Sequence, residues 1–378
     1  MRALAGRWVC PVTAMVKASR SFDDEGVDSV RNVQLFSTDT DDGVVSVVAK
    51  TGSGEHRLIK QIPVGNAPRG GVKFTSAGRG FVCNTSQNTL SEIDAVALTE
   101  VRRIEVGHGP RGLAIVPGEK YLLVSNSGSD SVSVVDLELS MELRQVATGR
   151  DPRHMGISAD GKWAYVCVWG AGYISKMDIS SLADGDAAGV VEVARIDIDR
   201  EAHPYSLNIS PDGQRVFVAN TQATYLTVID VATDEVHNVE LGGFGGRAVT
   251  FSADGASALV TVEAQSRVYV VDVQSLEVKR HIPVGAGPRG LVLDKEDNTL
   301  YVTNFSRAWG AWMEAGLEFG ANSLTAVDLD SAPLDRQEGS FHYEEVTVGF
   351  GPCSVVMFDL DTIPADERAR RVDYVDAD

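Results

Sequence analysis

Val106-Gly107-His108-Gly109-Pro110-Arg111-Gly112 is one copy of a phrase that the chain repeats. Val64-Gly65-Asn66-Ala67-Pro68-Arg69-Gly70 and Val284-Gly285-Ala286-Gly287-Pro288-Arg289-Gly290 match it closely. Thr148-Gly149-Arg150-Asp151-Pro152-Arg153-His154 is looser, and Leu241-Gly242-Gly243-Phe244-Gly245-Gly246-Arg247 looser still. Ala202-His203-Pro204-Tyr205 and Gly349-Phe350-Gly351-Pro352-Cys353 keep the turn and lose the arginine. The turns fall at positions 68, 110, 152, 204, 246, 288 and 352, and four of the six intervals are 42 residues. A period near 40 residues marks a repeat architecture whose units stack into one body. That overrides the two or three domains that 378 residues would otherwise imply.

The second unit shows the grammar between turns. Gly112–Val116 reads as strand A, Tyr121–Ser125 as strand B, Val132–Asp136 as strand C and Leu143–Val146 as strand D. Gly and Pro punctuate these short β-rich runs, and no helical periodicity of any length intervenes. Four antiparallel strands every 40 residues or so is the composition of a propeller blade. At the N-terminal end, Leu35-Phe36-Ser37, Val44–Val48 and Leu58-Ile59 supply strands B, C and D without an A. At the other end, Cys353–Phe358 supplies an A without the rest. The two ends make one blade, which with six between gives seven. The sequence thus predicts an all-β, seven-bladed propeller over residues 34–363, its ring closed by N-terminal strands on the C-terminal strand. Residues 1–33 are read as a leader and 364–378 as a solvated acidic tail.

Two insertions break the period. Around Leu182–Val190 ten extra residues enter a C-to-D connection, on the face away from the Pro-Arg turns. Between Asn304 and Asp328 fourteen extra residues, 306–319, enter a B-to-C loop on the Pro-Arg face. They carry Trp309 and Trp312, and long loops with their own apolar content are often lids or binding elements.

Composition excludes several classes. The formal net charge is −19, with 34 basic and 53 acidic residues. That opposes nucleic-acid binding, which needs clustered Lys and Arg, and disfavours anionic membrane surfaces. The four cysteines show no C-x-x-C spacing, so no zinc knuckle is expected, and Cys83 and Cys167 read as buried thiols in apolar runs. The N-terminus makes a poor signal peptide, and no apolar run approaches a membrane span. A cytoplasmic setting is the expectation.

Leu300-Tyr301-Val302-Thr303-Asn304 contains the tetrapeptide of the YVTN-repeat β-propellers, echoed in Phe81–Asn84, Val124–Asn126 and Val218–Asn220. Ser131–Asp136 and the turns Ser158–Gly161, Ser210–Gly213 and Ser252–Gly255 resemble that family too. The resemblance spans about residues 34–363. It implies the propeller fold, and similar propellers include lactone hydrolases, a streptogramin-opening lyase, cell-surface proteins and binding scaffolds. Fold alone does not choose among these.

The candidate chemistry lies at the turns. The residue after the turn reads Arg69, Arg111, Arg153, Tyr205, Arg247, Arg289 and Cys353 around the ring. Arginine forks bind carboxylate or phosphate, so this mouth is a candidate anion pocket; the competing reading pairs each arginine with a neighbouring blade. His154 and His203, with His108 behind them, are candidate acid–base residues. No compact ligand spacing supports a divalent metal, and no cofactor is expected. Trp169 and Glu263 follow the two strand B ends where Val168 and Val262 replace Asn. Trp169, Trp309 and Trp312 are expected to wall the pocket. Glu263 is either a general base or the ion-pair partner of Arg247 or Arg289. Cys353 is either a nucleophile or an inert buried thiol. Two functions stay open: an enzyme acting on a small anionic, partly apolar molecule by lyase, isomerase or lactone-hydrolase chemistry, and a non-catalytic scaffold holding a partner protein on the same face.

Overall fold

The computed structural model describes residues 31–52, 54–305 and 322–375. Seven four-stranded antiparallel sheets follow one another along the chain. Blades 1 to 6 begin with the A strands Pro68–Phe74, Pro110–Ile115, Pro152–Ile157, Pro204–Ile209, Gly246–Phe251 and Pro288–Asp294. Blade 7 takes its A strand, Pro352–Asp359, from the C-terminal end and Val33–Asp39, Val44–Lys50 and His56–Pro63 from the N-terminal end. The joining register runs from Val33 opposite Asp359 to Asp39 opposite Pro352. The seven-bladed ring and its closure are those the repeat predicts, and closing it leaves no free sheet edge at the join.

Each position of the repeated phrase has a steric reason. The glycine of Val-Gly lies against the strand B asparagine of its following blade: a Cβ on Gly65, Gly107 or Gly285 would strike the side chain of Asn84, Asn126 or Asn304. The residue before the turn proline holds a left-handed backbone in every blade, whether glycine, as at Gly109 (φ 61°), or not, as at Ala67 (φ 54°), Asp151 (φ 55°) and His203 (φ 53°). The turn proline then opens strand A opposite that asparagine, as Pro68 opposite Asn84 and Pro110 opposite Asn126. The glycine after arginine lets neighbouring A strands approach, since a Cβ on Gly112 would meet the backbone of Arg153 and His154. The blades are also stitched sideways: Thr85 Oγ1 donates to Pro110 O at 2.8 Å and Ser127 Oγ to Pro152 O at 2.6 Å.

Burial follows strand order. Strand B of blade 2, Tyr121–Asn126, is buried along its whole length because blades cover both faces. Strand D of the same blade, Met141–Ala147, alternates toward solvent. Asp94, Asp136, Asp230 and Asp272 each end strand C of their blade and accept backbone N–H groups two and three residues on, which caps the turn into strand D. The ten-residue insertion forms two short 3-10 turns, Ser180–Asp184 and Ala187–Gly189, between strands C and D.

Ala365–Val375, inside the segment read as a tail, is an α-helix. Asp366 and Glu367 occupy its first turn, where carboxylates favour a helix N-terminus. Arg371 fastens it to blade 1 through Ala77 O at 2.9 Å and Asp94 at 3.4 Å. Cys83, Cys167 and Cys353 are buried free thiols. No helix among the described residues is long and apolar enough to cross a membrane. Of residues 1–33, read as the leader, 1–30 lie outside the described residues and Val33 opens the first strand.

Candidate functional site

The seven A strands stand side by side around a central cavity of about 460 Å³. Short residues line most of its wall, and the repeat turns form its mouth. The arginine ring divides into two kinds of residue. Glu263 lies between Arg247 and Arg289: Arg247 Nε donates to one carboxylate oxygen at 2.5 Å and Arg289 Nη2 to the other at 2.9 Å. Of the two readings of Glu263, the geometry has it in ion pairs with both arginines. Arg153 Nη2 bonds Asp151 at 2.6 Å. Arg153 also lies 4.7 Å from the Trp169 ring centroid, Arg247 4.9 Å from Tyr205, and Arg289 3.6 Å from Phe305. These three are braced by carboxylates and aromatic faces.

Arg69 and Arg111 differ. Neither has an ion pair or side-chain hydrogen bond among the described residues, and the Nε of Arg111 is buried without a partner. Burial, with Arg153 and Arg69 close by, lowers the Arg111 guanidinium to about 10, so it stays charged at neutral pH. Five arginines at this mouth therefore meet two braced carboxylates, in a protein that is acidic overall. An excess of positive charge of this kind is what an anion site requires. A second groove of about 430 Å³ runs from Arg111 along Arg150, Asp151 and Trp169 on the same face.

The histidines separate as well. His154 lines the cavity, its ring 5.0 Å from that of Tyr205. Burial and the nearby charges of Lys73, Arg153, Arg111 and Arg69 push its imidazole down to about 3, leaving it neutral. His203 is committed elsewhere: its Nδ1 bonds Trp169 O at 2.9 Å and its ring stacks on Trp169 at 4.2 Å. His108 is exposed and does not line the cavity. Tyr205 is buried and its phenol is raised above the usual value by that burial. Cys353, also buried, lines the cavity beside Tyr205 and Arg289. Trp169 fixes its own indole through a 2.9 Å bond to Thr221 Oγ1 and walls the second groove. Trp309 and Trp312 lie outside the described residues.

One cavity residue was not singled out from the sequence. Lys73 lines the channel at the level of Ala114, Gly156, Asn208, Thr250, Val292 and Val356. It stands there because blade 1 has an extra residue in strand A. The turn proline and the turn closing strand A are Pro68 and Thr75 in blade 1, against Pro110 and Val116 in blade 2. The surplus is absorbed at Gly70 and Gly71, both left-handed (φ 84° and 70°), and the ladder skips from Arg69–Cys83 to Lys73–Phe81. Counting residues from each turn proline to the next turn would have revealed the bulge.

A family model described as YNCE-like beta-propeller matches residues 64–196, and one described as Lactonase, 7-bladed beta-propeller matches residues 139–283. No curated protein matches the chain. Among solved structures, Kuenenia stuttgartiensis hydrazine synthase superposes with TM-score 0.64 at 20% identity, covering 78% of this chain and 97% of that one. A Lactobacillus plantarum protein gives TM-score 0.70 at 15% identity, with 87% and 100% covered. The periplasmic gluconolactonase of Pseudomonas aeruginosa gives 0.66 at 16%, with 86% and 98% covered. At such identities these likenesses speak to fold. With its seven four-stranded blades, its Tyr-Val-Thr-Asn strand and two propeller family models overlapping along its middle, the chain is a seven-bladed β-propeller that resembles the YVTN-repeat and lactonase-like propellers.

Proposed function

We propose that the channel mouth binds a small anionic, partly apolar molecule and that the reaction performed there is hydrolysis of a lactone. The observation that carries the reading is the pair Arg69 and Arg111, cations without an ion-pair partner among the described residues, in the turns that lead into the central cavity. A guanidinium left unpaired in a partly buried place gains most from an incoming carboxylate or phosphate. The lactonase family match and the gluconolactonase fold neighbour support a lactone as the reacting group.

In this reading Arg69 and Arg111 hold the ligand's anion. Water adds to the lactone carbonyl, the ring C–O bond breaks, and a hydroxy acid results. His154 takes the proton from water and returns it to the departing alkoxide. An imidazole at about 3 is a weak base. The charges that depress it include the same arginines that the anion neutralises, so binding itself strengthens the base. The guanidinium groups also stabilise the oxyanion of the addition step.

Phe244 and Phe350, 55% and 60% exposed in turns on this face, favour the second reading, a surface for a partner protein. The unbonded thiols of Cys83, Cys167 and Cys353 support a reducing, cytoplasmic setting.

The test is thermal shift with gluconolactone, 6-phosphogluconolactone, small carboxylates and divalent metals, alongside a pH-stat assay of ring opening. Wild type should be stabilised by the anions and Arg111→Ala should lose most of that shift. Equal stabilisation of both proteins would make Arg111 structural. Binding without ring opening would leave a ligand-holding propeller and not a hydrolase.

A further inference from the structure

Lys73 is the cavity feature that hydrolysis at the mouth does not use. Lys50, Lys162, Lys176 and Lys279 each stand next to a carboxylate. The Lys73 side chain has no ion pair or hydrogen bond among the described residues, and no carboxylate lines the cavity it faces. Its neighbours at the same level are Ala114, Gly156, Val292 and Val356, with Asn208 and Thr250 as the polar ones. Below it the wall is apolar, with Phe74, Ile115 and Ile157. The lysine side chain is therefore exposed to the channel, ringed by the A strands of the other blades, and set about 10 Å of strand inward of the arginine level, three residues at about 3.3 Å each.

We propose that Lys73 is a carbonyl-reactive amine, which condenses with an aldehyde or ketone group of an anionic ligand whose charge is held at Arg69 and Arg111. The proposal rests on the mouth being an anion site and adds a chemistry that reading does not contain. An amine becomes a nucleophile when an apolar enclosure or nearby cations disfavour its ammonium form. The first applies to Lys73: the surrounding strands desolvate the amine and lower its pKa, and its charge in turn acts on the His154 imidazole in the same cavity. The Nζ lone pair forms the C–N bond and the carbonyl π bond opens to a carbinolamine. The carbonyl oxygen then leaves as water, carrying both amine protons, and an imine remains. Nothing is oxidised or reduced. His154, neutral and in the same cavity, is placed to pass a proton from nitrogen to the departing oxygen.

The blade 1 bulge gives the proposal a structural reason. Gly70 and Gly71 tolerate no Cβ without meeting Arg111 O or Ser354 Oγ, so the extra residue is accommodated at a backbone cost. Its effect is to set a long amine where the other blades carry short or uncharged side chains.

The experiment uses the full chain and pyridoxal 5′-phosphate, an aromatic aldehyde with a phosphate, followed by borohydride reduction and peptide mass analysis. Pyridoxine 5′-phosphate, which has the phosphate but no carbonyl, reports binding separately by thermal shift. Lys73 should be reduced to the stable adduct at least tenfold faster than Lys50 or Lys60. Pyridoxal without the phosphate should label it less, and so should Arg111→Ala treated with the phosphate probe. Lys73→Arg should keep pyridoxine 5′-phosphate binding and lose the adduct; peptide-level labelling of wild type stands even if that variant folds poorly. If pyridoxine 5′-phosphate binds and Lys73 is labelled no faster than surface lysines, the amine proposal is overturned and the anion mouth survives. If neither probe binds, both fall.

Discussion

The carboxylate of Asp39 accepts the backbone N–H of Gly349 at 3.0 Å, across the join between the two ends of the chain. Asp39 occupies the place that asparagine holds in blades 1, 2, 4 and 6, opposite the turn proline. In those blades the asparagine donates to a hydroxyl on the adjacent strand C, as Asn84 Nδ2 does to Ser91 Oγ at 2.8 Å. Asp39 instead accepts from Ser37 and Ser46.

Burial raises the Asp39 carboxyl from 3.8 to about 6, against the opposing pull of its hydrogen bonds to Ser46, Ser37 and Gly349. The native state therefore holds this proton more tightly than the unfolded chain. The group's stabilising contribution is complete below about pH 4 and is lost as pH rises through 6. Two pKa units are worth about 3 kcal/mol. Asp39→Asn removes that penalty and gives up the Gly349 bond, worth about 1 kcal/mol. Denaturant unfolding should find the variant roughly 2 kcal/mol more stable than wild type at pH 8 and slightly less stable at pH 4. A difference that does not change between the two pH values would refute the account.

The glycines of the repeat are not equivalent, and alanine substitution should separate them. At Gly112 a Cβ meets the backbone of Arg153 and His154, which cannot move without shifting the next A strand. At Gly213, in the Ser210–Gly213 turn, the φ is 73° and nothing lies within 4 Å. Gly112→Ala is expected to cost about 3 kcal/mol, the overpacking range, and Gly213→Ala about 1 kcal/mol, from backbone strain alone. The order of the two midpoints in a urea titration checks this.

The fold was legible because the repeated phrase is architecture. Val-Gly reports a strand B asparagine packed against the turn, and Pro-Arg-Gly reports A strands too close for a side chain, so the ring could be counted from turns alone. The site was legible only as a set of positions. The sequence offers Glu263 as a partner of Arg247 or Arg289, but does not show that it engages both at once and leaves Arg111 without a carboxylate. His203 stands just before its turn proline and His154 two residues after its own, and neither position tells which side chain reaches the cavity. One is spent on Trp169 and the other faces the cavity, because Trp169 comes from blade 3 and stacks on a turn of blade 4. Lys73 was hidden by a single added glycine, which changes no motif and shifts one strand's phase.

His154 should show no titration between pH 5 and 8 in a histidine NMR experiment, because its value of about 3 lies well below that window. Since that value lies below the ordinary 6.5, the native state takes up its proton less readily than the unfolded chain. This group therefore favours folding above about pH 6.5 and the advantage drains away as pH falls toward 3. Removing one of the depressing charges with Arg69→Ala or Arg111→Ala should move the titration upward. Saturating phosphate should do the same in wild type and do less in either variant. An upfield or downfield shift with a midpoint near 6.5 in wild type would mean that His154 is solvated and not under the influence of the arginines.

Glu263 provides the sharpest separation between catalysis and scaffolding at the mouth. Its two oxygens are each engaged by a different arginine, which leaves it poorly placed to accept a proton from water. Glu263→Gln keeps the shape, removes one negative charge and releases Arg247 and Arg289 toward the channel. If Glu263 is a brace, anion binding should tighten several-fold, with a steeper dependence on salt, because the mouth gains net positive charge. The fold should lose about 1–3 kcal/mol, since two part-buried guanidinium groups lose their partner. If it is the general base, ring opening should fall by about 10² to 10⁴ while anion affinity hardly changes. Measuring phosphate affinity at two ionic strengths beside the hydrolysis rate distinguishes the two, and the bridging geometry predicts the first.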